Sequence, residues 1–166
     1  MASRRKAREV ALQMLFQWEV GGHKPEHVVS TFLGGQNLEA EVERFARDLF
    51  EGTVGEIAAL DRMVREHSEH WRLERMAAVD RNLLRMALFE LLHHPETPPA
   101  VIINEALEIA RRFSGQEAVE FVNGVLDGIR KTLPANDSKP EPSRPSRGKT
   151  SPRKRRAFRS KDGYGK

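Results

Sequence analysis

Apolar residues recur at three- and four-residue spacing along most of the first 133 positions, and no stretch shows the alternation of a strand, so the pattern predicts helices alone. The first helix runs from about Ser3 to Val20, with Ala7, Val10, Ala11, Met14, Leu15 and Trp18 on one face, and Gly21-Gly22 ends it. A short helix starts near Pro25, buries Val28, Val29, Phe32 and Leu33, and stops at Gly34-Gly35. Asn37 is placed to cap the next stripe of Leu38, Val42, Phe45, Leu49, Val54, Ile57, Leu60 and Val64. That stripe shifts near Gly52 and Gly55, which predicts either one bent helix or two stacked ones. After a connector over Trp71 to Met76, the segment from Ala78 to His93 is apolar nearly all round and is expected to be the central buried helix. His93-His94 reads as its frayed end. Pro95 to Pro99 form a loop, and a helix from Ala100 to Phe113 turns Ile102, Ile103, Ala106, Ile109, Ala110 and Phe113 inward. In the last helix Ser114 and Glu117 have the spacing of a capping box, Ala118, Phe121, Val122, Val125 and Ile129 form the stripe, and Pro134 closes it. Asn104 and Asn123 are expected to satisfy buried backbone groups between helices.

Charge divides the chain where the periodicity stops. Of 28 basic and 24 acidic residues, 11 and 3 lie from Pro134 onward, so that stretch carries +8 and residues 1–133 carry −4. The stretch 134–166 is dominated by Pro, Ser, Lys and Arg. Such a composition cannot bury enough surface to offset its ordering entropy and is expected to be disordered. Its basic arm, Ser151 to Arg159, contains one aromatic, Phe158, and suits polyanions with little sequence preference. The expected organisation is therefore an all-helical domain over residues 1–133 and a basic tail over 134–166.

Composition also narrows the chemistry. With no cysteine there is neither a disulfide framework nor a thiolate ligand or nucleophile, which is compatible with a reducing cytoplasm. No signal peptide and no membrane span are expected. Phosphate-binding glycine loops and a nucleophile elbow are missing, so a binding module without cofactor is expected, not an enzyme. His67 and His70 stand three apart beside Glu66 and Glu69, but no third ligand accompanies them, and a metal site is not expected.

One helical face does invite a ligand. Phe16 falls outside the apolar stripe, with Arg5, Glu9 and Leu12, near the cations Arg4, Arg5, Lys6 and Arg8. Cations there could neutralise RNA phosphates, and the ring could stack on an unpaired base, worth roughly 1–3 kcal/mol. A solvated helix end, or a ring packed on a second helical layer, would leave the same pattern. Arg81 and Arg85, one turn apart, could likewise face a phosphate or solvent.

Four stretches resemble the NusB family. They are Arg4-Arg5-Lys6-Ala7-Arg8-Glu9-Val10-Ala11-Leu12-Gln13-Met14-Leu15-Phe16, Val79 to Leu91 (VDRNLLRMALFEL), Pro98 to Ala110 (PPAVIINEALEIA) and Phe121 to Asp127 (FVNGVLD). The resemblance covers residues 3–133 and leaves out the tail. It implies two small helical bundles packed together, about seven helices in all. It also implies a transcription antitermination factor that binds the single-stranded boxA element of nascent transcripts, notably of ribosomal RNA operons. The implied partners are NusE, a small-subunit ribosomal protein, and the RNA polymerase antitermination complex, and some members dimerise. Carried over position by position, the resemblance assigns RNA contacts to Arg4, Arg5, Lys6, Arg8, Phe16, Asp80, Glu117 and Phe121. Where many members have Tyr this chain has Phe16, which can stack but has no hydroxyl to donate. A cytosine methyltransferase carrying such a domain is excluded, because there is no nucleophilic cysteine. A general RNA chaperone acting through the basic tail remains the rival reading.

Overall fold

The computed structural model describes residues 2–35, 37–68 and 72–134. The chain divides into two units, Met1–Asn136 and Asp137–Lys166, and every described residue lies in the first. The expectations for residues 135–166, for His70 and for Trp71 lie outside the described residues.

Among the described residues seven α-helices form: α1 (Ala2–Gly21), α2 (Pro25–Gly34), α3 (Ala40–Gly55), α4 (Ile57–His67), α5 (Ala78–His93), α6 (Pro99–Phe113) and α7 (Gln116–Thr132), with a 3-10 turn at Leu73–Arg75. They pack as two groups that share α5. In the first, α1 lies along α3, and α2 covers both; in the second, α6 and α7 pair and α4 packs on α7, while α5 packs against α1, α3, α4, α6 and α7. Every residue from Asn82 to Leu91 is buried, as a helix apolar nearly all round requires.

The bent-or-stacked alternative resolves as two helices, α3 and α4, joined at Glu56. Gly52 has a different use from breaking the helix. A Cβ there would stand 2.0 Å from Cζ of Phe89, so its bare backbone lets α5 approach α3. Helix ends depart from the expected caps. Asn37 lies before the N-cap of α3, which is Glu39. The Ser114–Glu117 capping box does not form: Ser114 ends α6, with its N–H donating to Ala110 O, and Gly115 at φ 139° is the N-cap of α7. The extended, left-handed-side turn at Gly115 suits a residue without Cβ and forces Ser114 out of capping register.

Other corrections follow from packing. Asn104 and Asn123 are exposed, so they do not satisfy buried groups; Asn82 does, donating to Ala78 O and accepting from Arg85. Leu12 is buried at 5% exposure despite its helical phase; α5 packs along α1. His93 and His94 are not frayed: His93 Nε2 meets Glu56 at 2.7 Å, and His94 lies 2.7 Å from Asp48 and 2.8 Å from Glu96. Phe113, expected inside, is 44% exposed.

Candidate nucleic-acid interface

Helical phase sends the four N-terminal cations to different places. Arg8 is buried and does not join the expected basic edge. Its guanidinium donates to both carboxylate oxygens of Glu90, at 2.8 and 2.5 Å, and lies 5.5 Å from the Phe45 ring centroid. It is a cross-link between α1 and α5, and a phosphate cannot reach it. Arg4, one turn before, stacks over the same ring at 5.0 Å and donates to Thr97. It lines a cleft with Glu41, Arg44, Phe45, Asp48 and His94, away from Phe16. Lys6 is exposed. Only Arg5 shares the face of Phe16, about 17 Å away along the helix axis.

Arg5 is engaged there. Its Nε and Nη2 donate to the two carboxylate oxygens of Glu105 on α6, at 2.9 and 3.0 Å. A second pair runs the other way, Arg112 of α6 donating to Glu9 of α1 at 2.9 Å. The hydrogen bonds from Arg5 hold the Glu105 carboxyl below the ordinary carboxylate range. Glu105, with the fields of Glu108 and Glu9, raises Arg5 above its own usual value.

Beyond these pairs the surface opens into two adjoining clefts. The first, about 340 Å³, is lined almost wholly by apolar groups, among them Leu12, Phe16, Phe32, Val79 and Phe113. Phe16 is 36% exposed, so the ring points outward as expected. The second, about 440 Å³, begins at the residues that follow Val79 and Phe113 in sequence. It takes in Asp80, Ser114 to Ala118, Phe121 and, from the connector, Arg75 to Ala77. Asp80 is half-buried and its Oδ1 has no donor among the described residues; Glu117 is exposed; Phe121 is half-buried against the core. Phe16 thus lies on the first cleft and Asp80, Glu117 and Phe121 on the second, Arg5 stands one turn before Glu9 of the first, and Arg4 and Arg8 lie off both.

Arg81 and Arg85 are not a phosphate site. Both bind Glu19, Arg81 also donates to the carbonyls of Leu73 and Met76, and Arg85 binds Asp61 at 2.6 and 2.9 Å. Burial opposes the charge on Arg85, but its bonds to Asp61 and Glu19 outweigh that and raise its pKa.

The NusB family model matches residues 5–131, about three quarters of the chain and every residue lining the two clefts. The chain belongs to the NusB family. The transcription antitermination protein NusB of Koribacter versatilis is 51% identical over 138 residues, which span 82% of this chain and 94% of that one. NusB of T. maritima, a solved structure, superposes with a TM-score of 0.73 at 34% identity, covering 78% of this chain and 91% of its own. A crystal structure of the antitermination factors NusB and NusE in complex with dsRNA gives the same TM-score at 25% identity, covering 80% and 99%. In this NusB-family chain the residues that sequence reasoning missed are Phe113, Glu105 and Arg112. Phe113 follows two arginines at the end of α6, and that polar neighbourhood is the one sign of its exposure. Among the described residues no cluster of His, Cys, Asp or Glu is arranged to hold a metal ion, and no helix is long and apolar enough to cross a membrane.

Proposed function

We propose that this chain is an antitermination factor that binds the single-stranded boxA element of nascent transcripts, notably of ribosomal RNA operons. It does so in the cytoplasm, together with NusE and within the RNA polymerase antitermination complex, and catalyses no reaction. The observation that carries this reading is the pair of exposed rings, Phe16 and Phe113, on one apolar cleft next to the cleft of Asp80, Glu117 and Phe121. Single-stranded RNA is read by splaying bases onto aromatic rings and meeting their edges with polar groups. The rings provide the first. Asp80, which lines the second cleft, and exposed Glu117 offer carboxylate acceptors for base amino groups. The similarity to an antitermination complex of NusB, NusE and dsRNA supports RNA and NusE as partners. Outward rings favour unpaired bases, whose faces are available, over a stacked duplex. In this reading residues 1–133 are the reader and residues 134–166 an accessory basic tail.

The test is a fluorescence titration of boxA RNA and a scrambled sequence, with and without NusE. The wild type should prefer boxA, and NusE should sharpen the preference. Phe16→Ala should weaken boxA binding by roughly 1–3 kcal/mol while leaving its salt dependence unchanged. Equal affinity for both RNAs would refute the reading. A large loss of thermal stability in Phe16→Ala would show instead that the ring serves the core. Exposed Phe16, Phe113 and Val20 also fit a homodimer that covers the cleft. In that case sedimentation would show dimers that RNA dissociates.

A further inference from the structure

The exposed guanidiniums beside the aromatic cleft already hold anions of this chain. Arg5 gives Glu105 the Nε and Nη2 edge, the fork that fits a phosphate bidentately. Glu105 is 17% exposed, the more enclosed partner, against 49% for Arg5. Arg112, 67% exposed, is held by Glu9, which is 14% exposed. In both pairs a well-seated carboxylate carries the outer cation, and the two pairs cross between α1 and α6 in opposite senses. This edge is charge-compensated, not basic.

We infer that Glu105 and Glu9 act as built-in competitors for the RNA backbone, so that a phosphate takes the Nε–Nη2 fork of Arg5, or the Nη1 that Arg112 gives Glu9, only by exchange with a carboxylate. This rests on the reading of the chain as an RNA binder and adds which residues set its affinity. Two consequences follow physically. A phosphate arriving at Arg5 leaves Glu105 ionised a few ångströms away, and that repulsion subtracts from binding. Because the exchange swaps one anion for another on the same cation, it releases fewer counterions than binding to an unpaired arginine. Contacts of bases with the aromatic cleft then carry a larger share of affinity.

Glu105→Gln tests this, since the amide keeps an acceptor for Arg5 and removes the charge. Binding of boxA RNA and of its scramble should tighten, roughly threefold to tenfold at low salt. The slope of log affinity against log salt should steepen by about 0.7 for the one cation set loose. Glu9→Gln should do the same through Arg112. With Arg5→Ala in the background, Glu105→Gln should no longer steepen the slope. Weaker binding by Glu105→Gln in protein with an unchanged melting curve would overturn the inference, because Glu105 would then be orienting Arg5. Unchanged affinity and slope in both glutamine variants would also overturn it. Either result leaves the proposed function standing if wild type still prefers boxA. If wild type shows no preference, the proposed function falls, and the glutamine variants' slopes on the scrambled RNA decide the exchange separately.

Discussion

Arg5 and Arg8 lie three residues apart on α1, and their environments assign them opposite work. Arg8 is 4% exposed and Glu90 1%, and each satisfies the other through two hydrogen bonds. Removing one member of such a pair strands a charge in the interior, which typically costs about 3–5 kcal/mol. Arg8→Ala should therefore lower the urea midpoint and melting temperature severely, whereas Arg5→Ala should leave both nearly unchanged. Exchanging both partners for apolar residues, Arg8→Met with Glu90→Leu, should recover most of the loss. Equal stability of Arg8→Ala and wild type in a denaturation series would contradict this account. Any loss of RNA binding in Arg8→Ala is then a folding effect, not a lost phosphate contact. Nothing in the run Arg4-Arg5-Lys6-Ala7-Arg8 distinguishes the buried cation, since its partner is 82 residues away.

At the scale of elements, Glu19 near the end of α1, Asp61 of α4, and Arg81 and Arg85 of α5 form one network joining three helices. Burial pushes the Glu19 carboxyl up, but hydrogen bonds from Arg81 and Arg85 more than offset it, so the folded pKa lies below its usual value. A carboxyl depressed on folding contributes stability that is fully present above its unfolded pKa, about 4.3, and is lost as pH falls through the folded value. Denaturation midpoints should thus hold between pH 7 and 5 and drop below about pH 4. Glu19→Gln should lower the plateau and flatten the acid limb; an acid limb identical to wild type would remove Glu19 from the explanation. The helices that carry this network were largely legible in the sequence. Helix positions follow from apolar periodicity and from Gly21-Gly22, Pro25 and Pro99, which act locally, and the bounds of α5 were read to the residue. The outward turn of Phe16 was legible for the same reason, because phase along one helix is local. What was not legible depends on a second helix: the partners of Arg5, Arg8, Arg81 and Arg85, the exposure of Phe113 beside α1, and the close approach of α5 at Gly52. Ser114 and Glu117 had capping-box spacing, yet Gly115 takes the N-cap position, so a local rule yielded to a neighbouring residue with wider backbone freedom.

For the whole molecule the charge division matters more than its sum. Residues 1–133 carry −4 and the 33 residues that follow carry +8. A body that repels polyanions on average, with Arg5 and Arg112 paired beside the aromatic cleft, should discriminate RNAs by that cleft. A basic tail should hold any RNA, and linking the two raises overall affinity through local concentration without new contacts at the cleft. Replacing Arg153, Lys154, Arg155, Arg156 and Arg159 with Gln separates these contributions in the full chain. Scrambled RNA should bind far more weakly, and the salt slope should fall by as much as ~3.5 if all five cations contact phosphates. Binding of boxA should weaken by a similar factor or less, so the ratio of boxA to scrambled affinity should hold or rise. If that ratio instead collapses toward one, the tail is the reader, and the chain is a general RNA-binding protein that happens to be carried on a NusB-family fold.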